Sequence, residues 1–391
     1  MLKQTLLFTR FTRRSLGAGG FLTFSPLSLS LLAFSLLTLS PLLLPAQDFG
    51  AIDEKARAVS FPKNQDISKL AADLSKGLST EKEKARAIYV WLTEHISYDV
   101  RTAFDEDAEA QEVVAKQKSR VVLKSKKAVC EGYANLFCDL CSAAGIKAFK
   151  AVGTVKNSYG RIPRIGHAWN LVRVDGEWGL VDATWGAGNV DDEEQKFARE
   201  FNPEYFLAAP EFILKNHLPT DPLYQLSAQP ITLQQFKMND EERAALPAAQ
   251  PDPSFAHLAD SLNALAALDS NAQFLNSILR TLRFDPSSNR ARYYLATHLC
   301  NESVRIFNEY ATGQNNMVIN KTRPTKAIAQ GFDAQLVQAE KCARQSLIEA
   351  DRIAPGDRYW GASGAVKRRA KEMQRACGDS KKRNDEMLKR M

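Results

Sequence analysis

The sequence predicts an α+β fold in which a helix packs on an antiparallel sheet, followed by an all-helical C-terminal domain. A helix is predicted to begin at Cys130, because the stretch AVCEGYANLF from residue 128 opens an apolar stripe of helical spacing. Asp175-Gly176 lies between two alternating runs, which is a strong hairpin signal. Beyond residue 255 the patterns are helical. With 391 residues, 45% of them hydrophobic, the chain is long enough for two domains.

Residues 1–46 are predicted to be a signal peptide. A basic stretch that ends at Arg14 precedes an apolar, Leu/Ser-rich run from Phe21 to Leu44, and Ala46 offers a small residue for cleavage. The alternative is an uncleaved membrane anchor, because the run is long enough to span a bilayer. Its two prolines and many serines favour cleavage, so we expect a periplasmic or extracellular protein. A membrane partner is expected only if the segment stays uncleaved.

Charge and motif content argue against several other classes of protein. The formal charge is +7, and the four basic residues of the first segment account for four of those charges. The remaining excess is too small to predict a nucleic-acid partner. No phosphate loop or dinucleotide fingerprint occurs, so no cofactor is expected. No metal is expected either, because the five histidines are scattered and none pairs with a cysteine at ligand spacing.

The first domain is predicted over residues 80–242, after a polar lead-in at 47–79. Thr80 followed by Glu83 predicts a capping box at the start of a helix. That helix carries an apolar stripe and ends near Ser97-Tyr98-Asp99. Residues 101–127 are charged and are predicted to be a solvated connection.

Cys130 is a candidate nucleophile because a helix N-terminus favours the thiolate. Gly145 is the predicted C-cap of its helix. Glu131 suits the first turn of a helix, but its charge opposes thiolate formation beside Cys130. An ordinary buried cysteine is the alternative for this position.

The other cysteines leave more than one possibility open. Six cysteines in an exported chain suggest disulfides, yet a free Cys130 leaves an odd number. Cys138 and Cys141 have the spacing of a redox pair, but they fall on the apolar face of the Cys130 helix and are predicted to be core residues. A redox protein would require these two thiols to be exposed.

The hairpin register brings a histidine and a carboxylate together. With Asp175-Gly176 as the turn, Val174 faces Glu177, and Trp169 then faces Asp182. His167 and Asp182 therefore share a face as diagonal neighbours, about 7–8 Å apart at the backbone. An imidazole and a carboxylate can bridge that distance. A core histidine and a turn-capping aspartate are the separate alternatives for these residues.

The C-terminal part is predicted to be a separate helical domain at residues 255–391, after a linker at 243–254 that is rich in Ala and Pro. Its helix pairs weakly resemble tetratricopeptide repeats. An ordinary helical bundle explains the pattern equally well. A protein partner is the expected ligand of this domain.

Cysteine, histidine and aspartate in this order, with the cysteine on a helix and the others on strands, resemble the transglutaminase-like superfamily. The stretch around Cys130, His167-Ala-Trp-Asn and Val181-Asp182-Ala-Thr-Trp185 are similar to its three motifs. Residues 80–236, including His217-Leu-Pro, resemble the branch that contains kyphoscoliosis-peptidase and cytokinesis proteins. The resemblance implies a papain-like core with a nucleophile helix packed on an antiparallel sheet.

The resemblance implies a role for each motif residue. Cys130 would be the nucleophile, His167 the general base and acid, and Asp182 the group that holds the imidazole tautomer. The oxyanion hole would use the Cys130 backbone N–H and one upstream donor. This chain has Val129 where animal transglutaminases place glutamine, so Tyr98 is the candidate for that donor. Trp185 is a candidate wall of the acyl site; for both aromatic residues, core packing is the alternative.

Two functions follow from these residues. The first is an exported cysteine enzyme that acts on amide or peptide bonds through a thioester acyl-enzyme, with water as the default acceptor and a protein or peptide as substrate. The second is a non-catalytic adaptor that retains the fold for protein binding.

Overall fold

The computed structural model describes residues 48–389, apart from 106, 108, 158, 164, 192–195 and 248–251. The predicted signal peptide therefore lies outside the described residues. The centre of the fold is a five-stranded antiparallel sheet. Its strands are β3 (Lys147–Val155), β4 (His167–Val174), β5 (Glu177–Val181), β8 (Phe206–Ala208) and β9 (His217–Pro219). Their order across the sheet is β8-β5-β4-β3-β9. Two short ribbons pair β1 (Ser97–Tyr98) with β2 (Lys127–Ala128), and β6 (Gly188–Asp191) with β7 (Lys196–Arg199).

The predicted lead-in contributes two helices to the core. They are α1 (Gly50–Ala58) and α2 (Ile67–Ser75), separated by a 3-10 turn at Lys63–Gln65. Apolar residues of both helices are buried in the same cluster as the sheet. Asp53 of α1 also forms a buried, bidentate ion pair with Arg86 of the next helix. This segment is therefore packed structure and not only a polar approach to the domain.

The predicted capping box is confirmed at the start of α3 (Glu81–His95). The Thr80 hydroxyl accepts from the Glu83 backbone N–H, and the Glu83 carboxylate accepts from the Thr80 N–H. These bonds satisfy two donors that a helix N-terminus otherwise leaves unpaired. α3 runs through the core with nine buried residues, and one residue, Ile96, separates it from β1.

The segment predicted to be a solvated connection forms three short helices. They are α4 (Val100–Ala103), α5 (Ala110–Lys116) and α6 (Ser119–Ser125). Charged positions are exposed as expected, but Val122 and Leu123 of α6 are buried. The prediction missed these helices because segments of four to seven residues are too short to show a helical period. The connection therefore packs against the next helix, α7 (Cys130–Ala143).

The predicted hairpin and its register are confirmed. Asp175 and Gly176 both have positive φ, as a two-residue type I′ turn requires. Val174 pairs with Glu177, and the register continues unbroken to Asn170 opposite Val181. Asp182 follows β5 directly. The turn therefore places the Asp182 carboxylate beside the first residues of β4.

Short elements connect the sheet to the C-terminal helices. They are the helices α8 (Pro210–Ile213), α9 (Leu233–Lys237) and α10 (Asp240–Ala244), and 3-10 turns at Pro203–Tyr205, Pro222–Gln225 and Pro253–Phe255. Helices α11 (Leu258–Ala266) and α12 (Ser270–Phe284) follow. Leu262 and Leu265 of α11 belong to the same buried cluster as the sheet.

The C-terminal part ends in three long helices that pack on one another. They are α13 (Asn289–Ile319), α14 (Lys326–Asp351) and α15 (Arg358–Lys389). At 26 to 32 residues each, these helices are too long for a pair to fit a repeat of about 34 residues. The arrangement is a helical bundle, the second of the two predicted forms. Within the described residues, no helix combines the length and apolar character needed to cross a membrane.

All six cysteines lie in the described part of the chain, and none forms a disulfide. Cys141, Cys300, Cys342 and Cys377 are buried on helices, where they pack as small apolar side chains. The disulfides that the cysteine count suggested are therefore absent from this structure.

Candidate active site

The start of α7 is fixed by a buried glutamine. Val129 is the N-cap residue, and its backbone N–H donates to the Gln117 side-chain oxygen at 3.0 Å. A side chain at Gly132 would come within 2.5 Å of that oxygen, so this position requires glycine. Cys130 is the first residue of the helix and is only half-buried, while its backbone N–H has no acceptor within the helix. Sequence reasoning missed Gln117, because nothing in the charged run before it marks a buried position.

His167 and Asp182 meet as the register predicted. His167 Nε2 lies 2.6 Å from Asp182 Oδ2, and both side chains are buried. Asp182 Oδ1 accepts the backbone N–H groups of Thr184 at 2.8 Å and Trp185 at 3.0 Å. The carboxylate is therefore held in one orientation by its own turn, with the other oxygen directed at the imidazole.

The turn that carries Asp182 also requires a glycine. The Gly186 N–H donates to the Asp182 carbonyl, and Tyr89 of α3 packs directly against the Gly186 Cα. A Cβ at Gly186 would come within 2.6 Å of the Tyr89 ring carbon that bears the hydroxyl. Substitution there would move the turn and, with it, the carboxylate.

His167 is placed between the carboxylate and the thiol. Since Nε2 bonds Asp182, Nδ1 is the ring nitrogen left to interact with Cys130. Burial alone would lower the pKa of His167, but the Asp182 charge and hydrogen bond, together with Cys130, raise it to about 10. Burial alone would raise the pKa of Asp182. The two histidines beside it outweigh burial and hold the pKa of this carboxyl well below its ordinary value. The site therefore favours an imidazolium that bridges a carboxylate and a thiol.

A second histidine binds the same carboxylate oxygen. His217 of β9 is fully buried, and its Nε2 lies 3.0 Å from Asp182 Oδ2. Its other ring nitrogen, Nδ1, lies 2.6 Å from the Asn216 side-chain oxygen. The sequence resemblance included the His217-Leu-Pro segment without giving this histidine a role. No register links β9 to Asp182, because β9 pairs with β3 across a long connection.

The two histidines and Asp182 come close enough to be considered as metal ligands. Their ligand atoms lie within 4.8 Å of one another. However, both Nε2 atoms converge on one oxygen at 2.6 and 3.0 Å, which are hydrogen-bond distances. A zinc ion bonds each ligand at about 2.0–2.2 Å and needs space between them. This geometry fits shared protons rather than a metal ion.

The structure brings both predicted substrate-site aromatics to the site. Tyr98 in β1 is half-buried, and its hydroxyl is close enough to Cys130 that the thiol charge helps to raise the pKa of Tyr98, after the larger effect of burial. Trp185 is half-buried and packs edge-on against His217, with ring centroids 4.4 Å apart. Trp185 also contacts His167 at 5.9 Å between centroids. Both residues therefore border the thiol and imidazole groups.

The charge that opposes a thiolate at Cys130 is paired. Glu131 accepts a hydrogen bond from Lys150 of β3 at 2.8 Å, and both side chains are about one-third exposed. Deeper in α7, burial raises the pKa of Cys138 to about 12. The Cys138 sulfur accepts a hydrogen bond from Asn170, and Cys141 is fully buried. Cys141 is therefore in the core, as its helical phase predicted, whereas Cys138 is half-buried at the edge of the core.

Part of this chain, including Cys130, His167 and Asp182, is similar to known proteins. Residues 68–183 match the model of the transglutaminase-like superfamily. Kyphoscoliosis peptidase of Homo sapiens is 34% identical over 207 residues, 52% of this chain and 30% of that protein. Cytokinesis protein 3 of Schizosaccharomyces pombe is 25% identical over 182 residues, 45% of this chain and 19% of that protein. A solved structure described as a TGase is 20% identical with a TM-score of 0.25, covering 36% of this chain and 34% of that one. The chain spans less than a third of the length of these two curated relatives.

Proposed function

We propose that the transglutaminase-like domain, which residues 68–183 of this chain form, is a cysteine enzyme that acts on amide bonds. The family match confirms the core fold predicted from the sequence. The observation that carries the proposal is the position of His167, which is hydrogen-bonded to Asp182 through Nε2 and lies near enough to Cys130 for the thiol to help raise the His167 pKa. Such an arrangement can transfer a proton between a thiol and a leaving amine.

The proposed reaction has two steps. The Cys130 thiolate attacks the amide carbonyl, and His167 protonates the nitrogen as the C–N bond breaks and a thioester forms. Water, deprotonated by His167, then attacks the thioester and releases the acid and the thiol. The negative oxygen of each tetrahedral intermediate would accept from the Cys130 N–H at the helix start and from the Tyr98 hydroxyl.

Two further observations support an enzyme over an adaptor. The Glu131 charge, which opposes a thiolate, is paired with Lys150. Cys130 is half-buried at the first residue of α7 and not sealed in the core. The name of the human relative describes a peptidase, and we therefore expect a peptide or protein substrate here. Water is the default acceptor, because no site for a second amine substrate stands out among the described residues.

The test is the selectivity of thiol labelling. The protein from residue 47 onward would be treated at about pH 6 with a limiting amount of iodoacetamide, and the labelled cysteines would be mapped by mass spectrometry. An ordinary thiol is mostly protonated at that pH, so fast labelling reports an activated thiolate. We expect labelling confined to Cys130 and slowed about tenfold or more by His167→Gln.

Matched controls make the result specific. His257→Gln changes an exposed histidine outside the site and should leave the rate unchanged. Burial raises the pKa values of the other five thiols, so they should stay unlabelled in folded protein. Slow labelling of Cys130, or a rate that His167→Gln does not change, would contradict the enzyme proposal and favour the non-catalytic adaptor.

Hydrolysis and transfer can be separated in the same protein. A mixture of peptides would be incubated with the enzyme in the presence and absence of methylamine. Hydrolysis predicts free carboxylates that depend on Cys130, whereas acyl transfer predicts methylamides. Cys130→Ser provides the control, since a serine hydroxyl in this site lacks the nucleophilicity of the thiolate.

A further inference from the structure

One oxygen of Asp182 accepts two imidazole N–H groups. Oδ2 lies 2.6 Å from His167 Nε2 and 3.0 Å from His217 Nε2. Oδ1 already accepts two backbone N–H groups from the following turn. An ionised carboxylate has about four acceptor positions, so that of Asp182 is saturated. His217 therefore occupies the position on Oδ2 that water or a second proton would otherwise take.

The protonation state of His217 follows from its surroundings. The ring is fully buried between Trp169 and Trp185, with centroid distances of 5.1 and 4.4 Å. This burial lowers the pKa of His217, although the hydrogen bond to Asp182 opposes the shift. A neutral ring that donates through Nε2 has a lone pair at Nδ1 and needs a donor there. The structure places the Asn216 side-chain oxygen 2.6 Å from Nδ1. A half-turn of the amide puts its N–H₂ group there instead, and a neutral His217 requires that orientation.

Tyr205 lies beside this pair. Its ring centroid is 6.1 Å from that of His217. Burial raises the pKa of Tyr205, and the Asn216 side chain opposes that shift. Tyr205 therefore helps to enclose His217 and Asn216.

We propose that His217 is a positioning residue of the triad, held as the neutral Nε2–H tautomer by Asn216, and that it shares the Asp182 charge with His167. This inference rests on the proposed function. A carboxylate oxygen that already accepts one N–H attracts a second more weakly. His217 therefore moderates the hold of Asp182 on the His167 proton, which the base must both accept and release.

Titratable groups face the two rings from several elements. Three titratable residues face His217. They are Asp182 after β5, His167 of β4, and Tyr205 of the 3-10 turn before β8. His167 faces Cys130 of α7 in addition to Asp182 and His217. The hydroxyls of Tyr89, Tyr98 and Tyr133 also feel the Asp182 charge. All of these tyrosines stay protonated near neutral pH, because burial raises each of their pKa values.

The test changes the charge of His217 without changing the packing. In Asn216→Asp a carboxylate faces Nδ1, which favours a protonated His217. Two imidazolium rings with centroids 5.3 Å apart would then compete for one oxygen. We expect the titration midpoint of His167, measured by NMR on ¹⁵N-histidine-labelled full-length protein, to fall by about one unit. His217→Gln keeps a neutral N–H donor and should leave the midpoint close to that of the wild type.

The same spectra contain the contradicting results. A wild-type His217 protonated at Nδ1, or an Asn216→Asp variant whose His167 titration is unchanged, would overturn the proposal. A purely packing role for His217 predicts that unchanged titration. Asn216 is half-buried and the substitution is isosteric, so loss of the fold is not expected. The NMR titration does not depend on activity, so the two proposals can fail separately. If iodoacetamide does not label Cys130 but the His167 midpoint shifts in Asn216→Asp, only the enzyme proposal is contradicted. If Cys130 is labelled but the His167 midpoint does not shift, only this inference is contradicted.

Discussion

The Lys150 ammonium group lies 2.8 Å from the carboxylate of Glu131, the residue that follows the candidate nucleophile Cys130. The pair joins β3 to the first turn of α7. It supplies the positive charge that the sequence alone could not assign. Lys124, Lys126 and Lys127, which precede Cys130 in the sequence, are exposed. Lys150 was not predicted, because its position in the strand gives no indication of which helix turn it faces.

Lys150→Met should slow labelling of Cys130 by iodoacetamide at about pH 6. Removing the ammonium leaves the Glu131 charge unpaired beside the thiol and reduces the thiolate fraction. Because both groups are about one-third exposed, solvent screens the effect, and we expect a change of about two- to fivefold. Labelling rates of the wild type and the variant would measure it.

The control is the double variant Lys150→Met with Glu131→Gln. Removing both charges should return the labelling rate to about that of the wild type. A double variant as slow as Lys150→Met alone would show that the lysine acts by packing and not by charge.

Asp53→Ala should destabilise the whole first domain. Asp53 and Arg86 form two hydrogen bonds of 2.8 Å, and the guanidinium also lies over the Phe49 and Phe206 rings. Loss of the carboxylate leaves a buried, unpaired charge, which costs about 3–5 kcal/mol of unfolding free energy. Urea unfolding followed by tryptophan fluorescence would measure it. Asp73→Ala, which breaks the exposed pair with Lys69, should cost about 0.5 kcal/mol or less.

How much of this site could be predicted differs between its residues. Thr80, the Asp175-Gly176 turn and Asp182 follow from local rules, because caps and two-residue turns fix geometry over a few residues. Gln117 and His217 reach the site by tertiary packing across long connections. No spacing rule relates either of them to Cys130 or Asp182. The two helices of residues 47–79 were also missed, because their apolar faces are short and lie among charged residues.

The stability that His167 adds should depend on pH. Its folded pKa of about 10 lies above the ordinary 6.5, since the Asp182 charge outweighs burial. Protonation of His167 therefore stabilises the fold fully below about pH 6.5, and this contribution is lost as the pH rises toward 10. The difference in unfolding free energy between the wild type and His167→Gln should fall by about half or more between pH 6.5 and 9. Urea unfolding across that range would measure it, and a constant difference would contradict the assignment.

Asn170→Ala should loosen the contact between α7 and the sheet. The buried amide donates to the Ala134 carbonyl at 3.0 Å and lies 3.1 Å from the Cys138 sulfur. Without it, a carbonyl inside the nucleophile helix loses a partner, which costs about 1–3 kcal/mol. Thermal unfolding would show the loss, and hydrogen exchange should increase in α7. Asn276→Ala removes an exposed side-chain hydrogen bond within α12 and should have little effect on stability.

Tyr98→Phe should separate catalysis from nucleophile activation. If the Tyr98 hydroxyl donates to the oxyanion, Tyr98→Phe removes a hydrogen bond that forms fully only in the transition state. We then expect kcat to fall about 10²–10³-fold. Labelling of Cys130 by iodoacetamide should change little, because that reaction forms no oxyanion. Tyr133→Phe is the matched control: its buried hydroxyl donates to the Ile96 carbonyl at 2.5 Å, so its loss should lower stability but not kcat. Equal kcat values for Tyr98→Phe and the wild type would return Tyr98 to the core-packing role and leave the second oxyanion donor to the backbone.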